Sequence, residues 1–397
     1  MKLHTVAAAV LALASLTAAS LPAHAQTAAP APAAAAAAAV DHKAVAAHYA
    51  ALVHANYADT LAAAKDLQAA IAEFTKAPSA DGLTKARKAW LEAREFYGQT
   101  EAFRFYGGPI DDDKGPEGQI NAWPLDEAYV DYVTGKPKAG MVNNAKFKIT
   151  KAALAKANER GGEENISAGW HAVEFLLWGQ DQSETGPGNR SFEDYVVGKG
   201  QNADRRAQYL TVATELLVDD LMAVTKAWEP NAKNYRAKFE KGGKESVRKI
   251  IVGLGSLSRG ELSGERMEVA LNSQDQEDEH SCFSDNTHRD VVTNAKGIQN
   301  VWTGEYTRRD GSMLKGPGVR DLVAAKNPAL AEKTTAQIAD SVKGAEAIPA
   351  PFDRAIVKGS AGRPAIEKTI ASLVSQSKLL VESASAVGIA KLTLVEP

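Results

Sequence analysis

A single cysteine, Cys282, is the first scarcity in this chain of 397 residues. It excludes an internal disulfide, a multi-cysteine zinc site and a thiolate-held iron–sulfur cluster. Aromatic residues make up only 7% of the chain while alanine is abundant, which favours helices over a β-sandwich. Neither sign of charge is in surplus: 46 Lys and Arg stand against 49 Asp and Glu, for a formal net charge of -3. A general nucleic-acid binder carries a clear basic excess, so that class is excluded. No run of about 18 apolar residues occurs, so no transmembrane span is expected. What remains is a globular composition, 45% hydrophobic and 24% charged, long enough for two domains of about 150–200 residues.

The N-terminus reads as an address. Lys2 supplies a positive end, Val6–Leu16 an apolar stretch, and Ala23-His24-Ala25 a small-residue cleavage pattern. Residues 1–25 are therefore expected to be a signal peptide. Residues 26–40, with Pro30, Pro32 and an alanine run, are expected to be a spacer, with a short polyalanine helix as the alternative. This places the protein outside the cytoplasm, in the periplasm or associated with the outer membrane.

Beyond the spacer the pattern is helical. Val45, Tyr49, Leu52, Val53, Tyr57, Leu61, Leu67, Ile71 and Phe74 recur at three- and four-residue steps. Asp81 is placed to cap a second helix, which Gly107-Gly108-Pro109 would stop. Further helices are expected over 145–160 and 168–180, the latter opened by Asn165 or Ser167. Another runs from an Asn202 cap to Trp228, and a long one covers 243–271, where Gly253, Gly255, Gly260 and Gly264 would allow close packing. No set of alternating strands is evident. The fold class is all-α, built as helical bundles. Both halves run helix, acidic loop, Asp-x4-Asp, at Asp126–Asp131 and Asp285–Asp290. This loose echo predicts two bundles related by duplication, 41–230 and 231–397.

Few residues offer chemistry. His171 and Glu174 sit three apart, which puts both on one face of a helix that is otherwise strongly apolar. Buried, they must be paired. Two readings stand side by side: a structural His–Glu hydrogen bond, or adjacent turns delivering a nitrogen and an oxygen to one metal ion. No His-Glu-x-x-His occurs, and Phe175 follows Glu174, so neither zincin arrangement is present. His42, His48 and His54 fall on different faces of the first helix. The polar stretch 275–290, holding Asp275, Glu277, Asp278, Glu279, His280, Asp285, His288 and Asp290, is expected to be a solvated acidic loop. A cation site is the alternative there, although the EF-hand order is absent. Cys282 within it fits a small buried residue better than a ligand or redox thiol. No Gly-x-Ser-x-Gly elbow or P-loop ending occurs.

Gly169-Trp-His171-Ala-Val-Glu174 matches the Gly-x-His-x-x-Glu motif of the imelysin-like proteins. Trp123-Pro-Leu-Asp126-Glu-Ala-Tyr129 and the segment Asp278–Asp290 resemble the iron-regulated protein A subgroup. The resemblance spans about residues 40–387. It implies two duplicated helical bundles with a site near their interface, export to the envelope, and a link to iron uptake. It implies His171 and Glu174 as metal ligands, Glu101 as an acidic partner, and an aspartate from the Asp111 or Asp126 region completing the set. Carboxylates with one imidazole suit iron or zinc. The implied partners are that metal ion and an envelope iron-uptake protein. The family also carries a peptidase label, which makes a metallopeptidase the rival reading. A third is a metal-free binding module using the cleft between the bundles.

Overall fold

The computed structural model describes residues 40–183 and 185–395. The expected signal peptide and all of the spacer but Val40 lie outside them. Among the described residues the chain is all-α apart from one hairpin, Glu305–Thr307 paired antiparallel with Met313–Lys315, and an isolated bridge between Val133 and Lys136. Strands of three residues are too short to declare themselves as alternation in the sequence. No helix among the described residues is long and apolar enough to cross a membrane.

The first helix, His42–Lys76, buries the apolar stripe read from the sequence, and Asp41 caps it by accepting from the Ala44 N–H. The second, Ala80–Thr100, folds back along it. Its cap is Ser79, which accepts from the Gly82 N–H, and not Asp81 as expected. Ser79 has the extended backbone of a cap, whereas Asp81 lies inside the first turn, where a negative charge favours the helix dipole. The helix also ends earlier than the glycines imply. Glu101–Phe103 tighten into a 3-10 turn, which leaves Glu101 buried. The helix expected over 145–160 shrinks to Lys151–Ala157, capped by Thr150.

Ala203–Ala227 packs against both the first helix and the motif helix Gly169–Trp178. Asn202 precedes it in a left-handed conformation and makes no side-chain cap; its amide donates to Asn143 instead. The long pattern over 243–271 is one continuous run in three parts. Lys244–Ser256 is α-helical, Leu257–Glu268 opens into π turns, and Val269–Ser273 returns to α. Gly253 there confirms the close-packing role: a Cβ would lie 2.8 Å from the Arg104 carbonyl oxygen. Thr287–Thr303 packs on the second helix, and Pro328–Glu346 and Arg363–Ala386 pack on each other. The proposed boundary near Pro230 falls in the short link between Ala227 and Tyr235, and helices from either side of it are in contact.

Every residue of the motif helix is buried. Its start is set by backbone, not by the side-chain cap expected of Asn165 or Ser167. Ser167 donates its hydroxyl to the Leu154 carbonyl. Gly169 opens the helix at φ 81°, and a Cβ there would stand 2.4 Å from the Ile120 carbonyl oxygen. Only glycine meets both demands. Gly169→Ala should therefore cost roughly 2 kcal/mol or more, read as a lower Tm and urea midpoint with an unchanged far-ultraviolet dichroism spectrum in the folded state.

Candidate functional site

His171 and Glu174 point the same way from adjacent turns and bond to each other, Nδ1 to Oε2 at 2.9 Å. The other carboxyl oxygen of Glu174 accepts from both the backbone N–H and the hydroxyl of Ser284, at 3.0 and 2.6 Å. Glu174 thus has no oxygen left over. The far nitrogen of His171, Nε2, is buried and has no partner among the described residues. Burial pushes the Glu174 carboxyl up to about 8, against the opposing hydrogen bonds of Ser284 and the charge of Arg94. Burial and Arg94 together push the His171 imidazole well below its ordinary range. At neutral pH the pair therefore carries no net charge, with the carboxyl proton in the hydrogen bond to Nδ1 and the ring N–H at Nε2.

Ser284 belongs to the 275–290 segment, which is not the solvated loop that its composition implied. Glu279, His280, Ser281, Cys282, Ser284, Asn286 and Asp290 are all buried. The segment is a wedge driven between the motif helix and the second helix, and its polar groups are paid for by partners the sequence spaces far away. His280 packs its ring edge-on against His171 at a centroid separation of 4.6 Å. Its Nδ1 bonds Asp290 at 2.7 Å. Burial and Arg266 push this imidazole down to about 3. Burial alone would raise Asp290, but Arg94 and His280 hold it well below the usual carboxylate range. Arg94 reaches Asp290 at 2.9 Å and Asn121 at 2.7 Å, with both charged partners almost wholly buried. Cys282 is buried too, and burial raises its thiol far from reactivity, as its small-residue reading requires.

Glu101 enters the same centre from below the second helix. One oxygen takes Arg104 and Arg266, each at 2.7 Å. The other oxygen is buried without a partner. Burial would raise this carboxyl, but the two guanidinium groups outweigh it and hold it at about 2. Its negative charge acts on both imidazoles. Arg266 also bonds Glu261 and Asn294, so the π turns close the floor of the centre.

The structure pairs His171 with Glu174, sets Glu101 within electrostatic reach of His171, and leaves out the two aspartates. Asp126 is exposed and caps the short helix Glu127–Val130 through the Ala128 N–H. Asp111 closes its own turn, accepting from the backbone N–H groups of Phe105 and Gly108. No group of three or more His, Cys, Asp or Glu side chains is gathered in metal-binding geometry among the described residues. His280, Asp290, Arg94, Arg266 and Ser284 are the members that sequence reasoning did not assign. One signal was present for three of them: His280, Ser284 and Asp290 lie in the segment that carried the family resemblance.

Arg94 supplies the buried positive charge that both Asp290 and the neutral His171 depend on. Arg94→Met should destabilise the protein by about 3–5 kcal/mol, because it strands Asp290 as an unpaired buried charge. Asp290→Asn in the same chain should recover part of that loss, which a double-mutant cycle in urea would measure.

The comparisons bear on the family and the fold. The Imelysin family model, which carries a peptidase label, matches residues 53–380. Iron-regulated protein A of Synechococcus elongatus is 26% identical over 300 residues, covering 75% of this chain and 73% of its own length. A crystal structure from Parabacteroides distasonis, described as a candidate iron-regulated protein A precursor, superposes with a TM-score of 0.69 at 18% identity, over 87% of this chain and 94% of that one. An imelysin-like protein from Psychrobacter arcticum superposes with a TM-score of 0.64 at 17% identity, over 88% and 96%. The match covers most of the chain, and the chain belongs to the imelysin family.

Proposed function

We propose that this protein is an exported metal-binding member of the family that serves iron uptake, with His171 Nε2 as its principal donor. The observation that carries the reading is that buried nitrogen without a partner, on an imidazole whose other nitrogen is held by a carboxylate. Metal-binding histidines commonly have this second interaction, which fixes the ring and its tautomer. The unpartnered oxygen of Glu101 is the matching oxygen donor in the same centre. The residues thus fit an iron or zinc ion through one nitrogen and one carboxylate. Glu174 changes role in this reading. With both oxygens engaged it positions His171 and is not itself a ligand. Bound metal would supply a site for cargo or Lewis-acid chemistry; the protein's own residues supply orientation and charge balance.

The guanidinium groups of Arg94, Arg104 and Arg266 are already paired with Asp290, Glu101, Glu117 and Glu261. The protonated Glu174 is the group beside His171 that can add a negative charge when a cation binds there, and each binding event then releases one proton. Export is supported by the leader pattern over Met1–Ala25, and one matched relative is itself described as a precursor. The two duplicated halves, 41–230 and 231–397, belong to the same proposal.

Protein purified without a tag should contain iron or zinc by mass spectrometry, and calorimetry should show a stoichiometric site that His171→Ala removes. Affinity should rise about tenfold per pH unit up to about pH 8 and then level off, as one proton is released from a group titrating there. Glu174→Gln should flatten that profile. Equal binding by His171→Ala and the wild type would overturn the assignment.

A further inference from the structure

A short link joins the helices Ala203–Ala227 and Lys244–Ser256. It holds the one-turn helix Tyr235–Phe239 and the 3-10 turn Glu240–Gly242, and both touch the first helix. Three of its rings, Trp228, Tyr235 and Phe239, pack on one another with centroids 5.1, 5.2 and 5.8 Å apart. Tyr49 of the first helix stacks on Phe239 at 5.3 Å and meets Trp228 edge-on at 6.0 Å. Asn234 closes the turn, its amide donating to the carbonyls of Lys226 and Glu229 at 2.9 and 2.8 Å. The aromatic side of the link is thereby fixed against the bundle. Its other side faces water: Lys226, Lys233, Lys238, Lys241 and Lys244 are all exposed. Lys43 joins them, since a Cβ on Gly243 would stand 3.6 Å from its side chain.

Residues 226–249 hold eight basic side chains and three acidic ones, in a chain whose acids outnumber its bases. Arginine takes two of those acids: Arg236 pairs with Glu240 at 2.7 Å and Arg248 with Glu245 at 2.6 Å. None of the six lysines has an ion-pair partner among the described residues. Glu229 is the third acid. Asp41 and Asp112 border the patch, each accepting from a backbone N–H, of Ala44 and Lys114. These three do not cancel six lysines. The other lysine-rich stretch, 136–160, is offset more fully. Its Lys151 pairs with Asp219 at 2.6 Å, and Glu159, Glu163 and Glu164 close it.

We propose that the lysine patch formed by Lys43 and residues 226–244 docks the protein on an anionic phospholipid surface. The proposal rests on the export reading above, which puts the chain where such surfaces lie, and is independent of the His171 centre. A lysine head is a compact, strongly hydrated point charge on a flexible stem, suited to charge spread over a surface; bidentate grip on a single phosphate favours arginine. None of the larger cavities among the described residues is lined by these lysines, so no pocket here encloses one small anion. No large apolar side chain is exposed within 226–249 either. Attachment is therefore electrostatic, at the headgroups, and reversed by salt. Each lysine brought to such a surface strengthens partitioning about fivefold.

Flotation of the full chain with vesicles of phosphatidylglycerol and phosphatidylcholine, against phosphatidylcholine alone, tests this. The wild type should float with the anionic vesicles at low salt, stay behind with the neutral ones, and be released as ionic strength approaches about 0.5 M. Replacing Lys226, Lys233, Lys238, Lys241 and Lys244 together by Gln should weaken binding by at least about a hundredfold, with an unchanged Tm. Replacing the same five by Arg should keep it. Removing five charges elsewhere, by Gln at Lys136, Lys138, Lys146, Lys148 and Lys156, should cost less than about fivefold. His171→Ala should float as the wild type does. A chain that floats as expected but is not exported in cells would fail the export reading alone. Equal partitioning to neutral and anionic vesicles would overturn the docking proposal. So would equal losses in the two glutamine variants, which would assign binding to net charge. Release by inorganic phosphate beyond that by chloride at matched ionic strength would assign a site for the free ion and also overturn it.

Discussion

Two buried ion pairs carry the architecture, Arg94 with Asp290 and Arg266 with Glu101. Each joins a residue near the end of the second helix to one roughly 165 or more positions later. Removing a guanidinium and a carboxylate from water is costly, and only close, well-satisfied geometry recovers the cost. The partners are accordingly satisfied in detail: Arg94 also holds Asn121, and Arg266 also holds Asn294 and Glu261. This requirement sets the register of the second helix against Thr287–Thr303. It also sets where the π turns of Leu257–Glu268 must present their side chains.

The buried centre follows from those pairs. With Asp290 held by Arg94, His280 is oriented by the same carboxylate and lies against His171. With the wedge seated, Ser284 reaches Glu174 and leaves that residue a single free bond, which it makes to His171. Burial, reinforced by the positive charge of Arg94 and Arg266, keeps both imidazoles neutral, and a neutral imidazole is the form that binds metal. The motif is thus the visible part of a larger unit. His171 is poised because its surroundings hold every other polar atom of the pair.

Some of this is legible from the chain alone. The first helix and the motif helix stand where their apolar residues put them. Local rules failed where tertiary contacts offered something better. Asn202 gave up its capping role to bond Asn143, and Ser167 gave up its own to bond Leu154. The helix over 145–160 lost half its length, because propensity alone does not bury a face. At the site, His171 and Glu174 bond to each other with Glu101 in electrostatic reach, whereas Asp126 and Asp111 bond local backbone N–H groups. Short aspartates beside turns often bond to nearby backbone in this way.

The sequence by itself determined the all-α class, the absence of disulfide chemistry, and the His–Glu pair on one helical face. Each rests on composition or on spacing within one element, where the 3.6-residue period fixes what neighbours what. Only the tertiary structure decided that an acidic, loop-like segment is buried and that both oxygens of Glu174 are engaged while Nε2 of His171 has no partner among the described residues. It alone showed that burial, reinforced by arginines, sets the charge of both histidines. The physical reason is one of distance along the chain. The cost of burying a charge is written in a single residue, but the partner that offsets it can be supplied from anywhere the fold brings close.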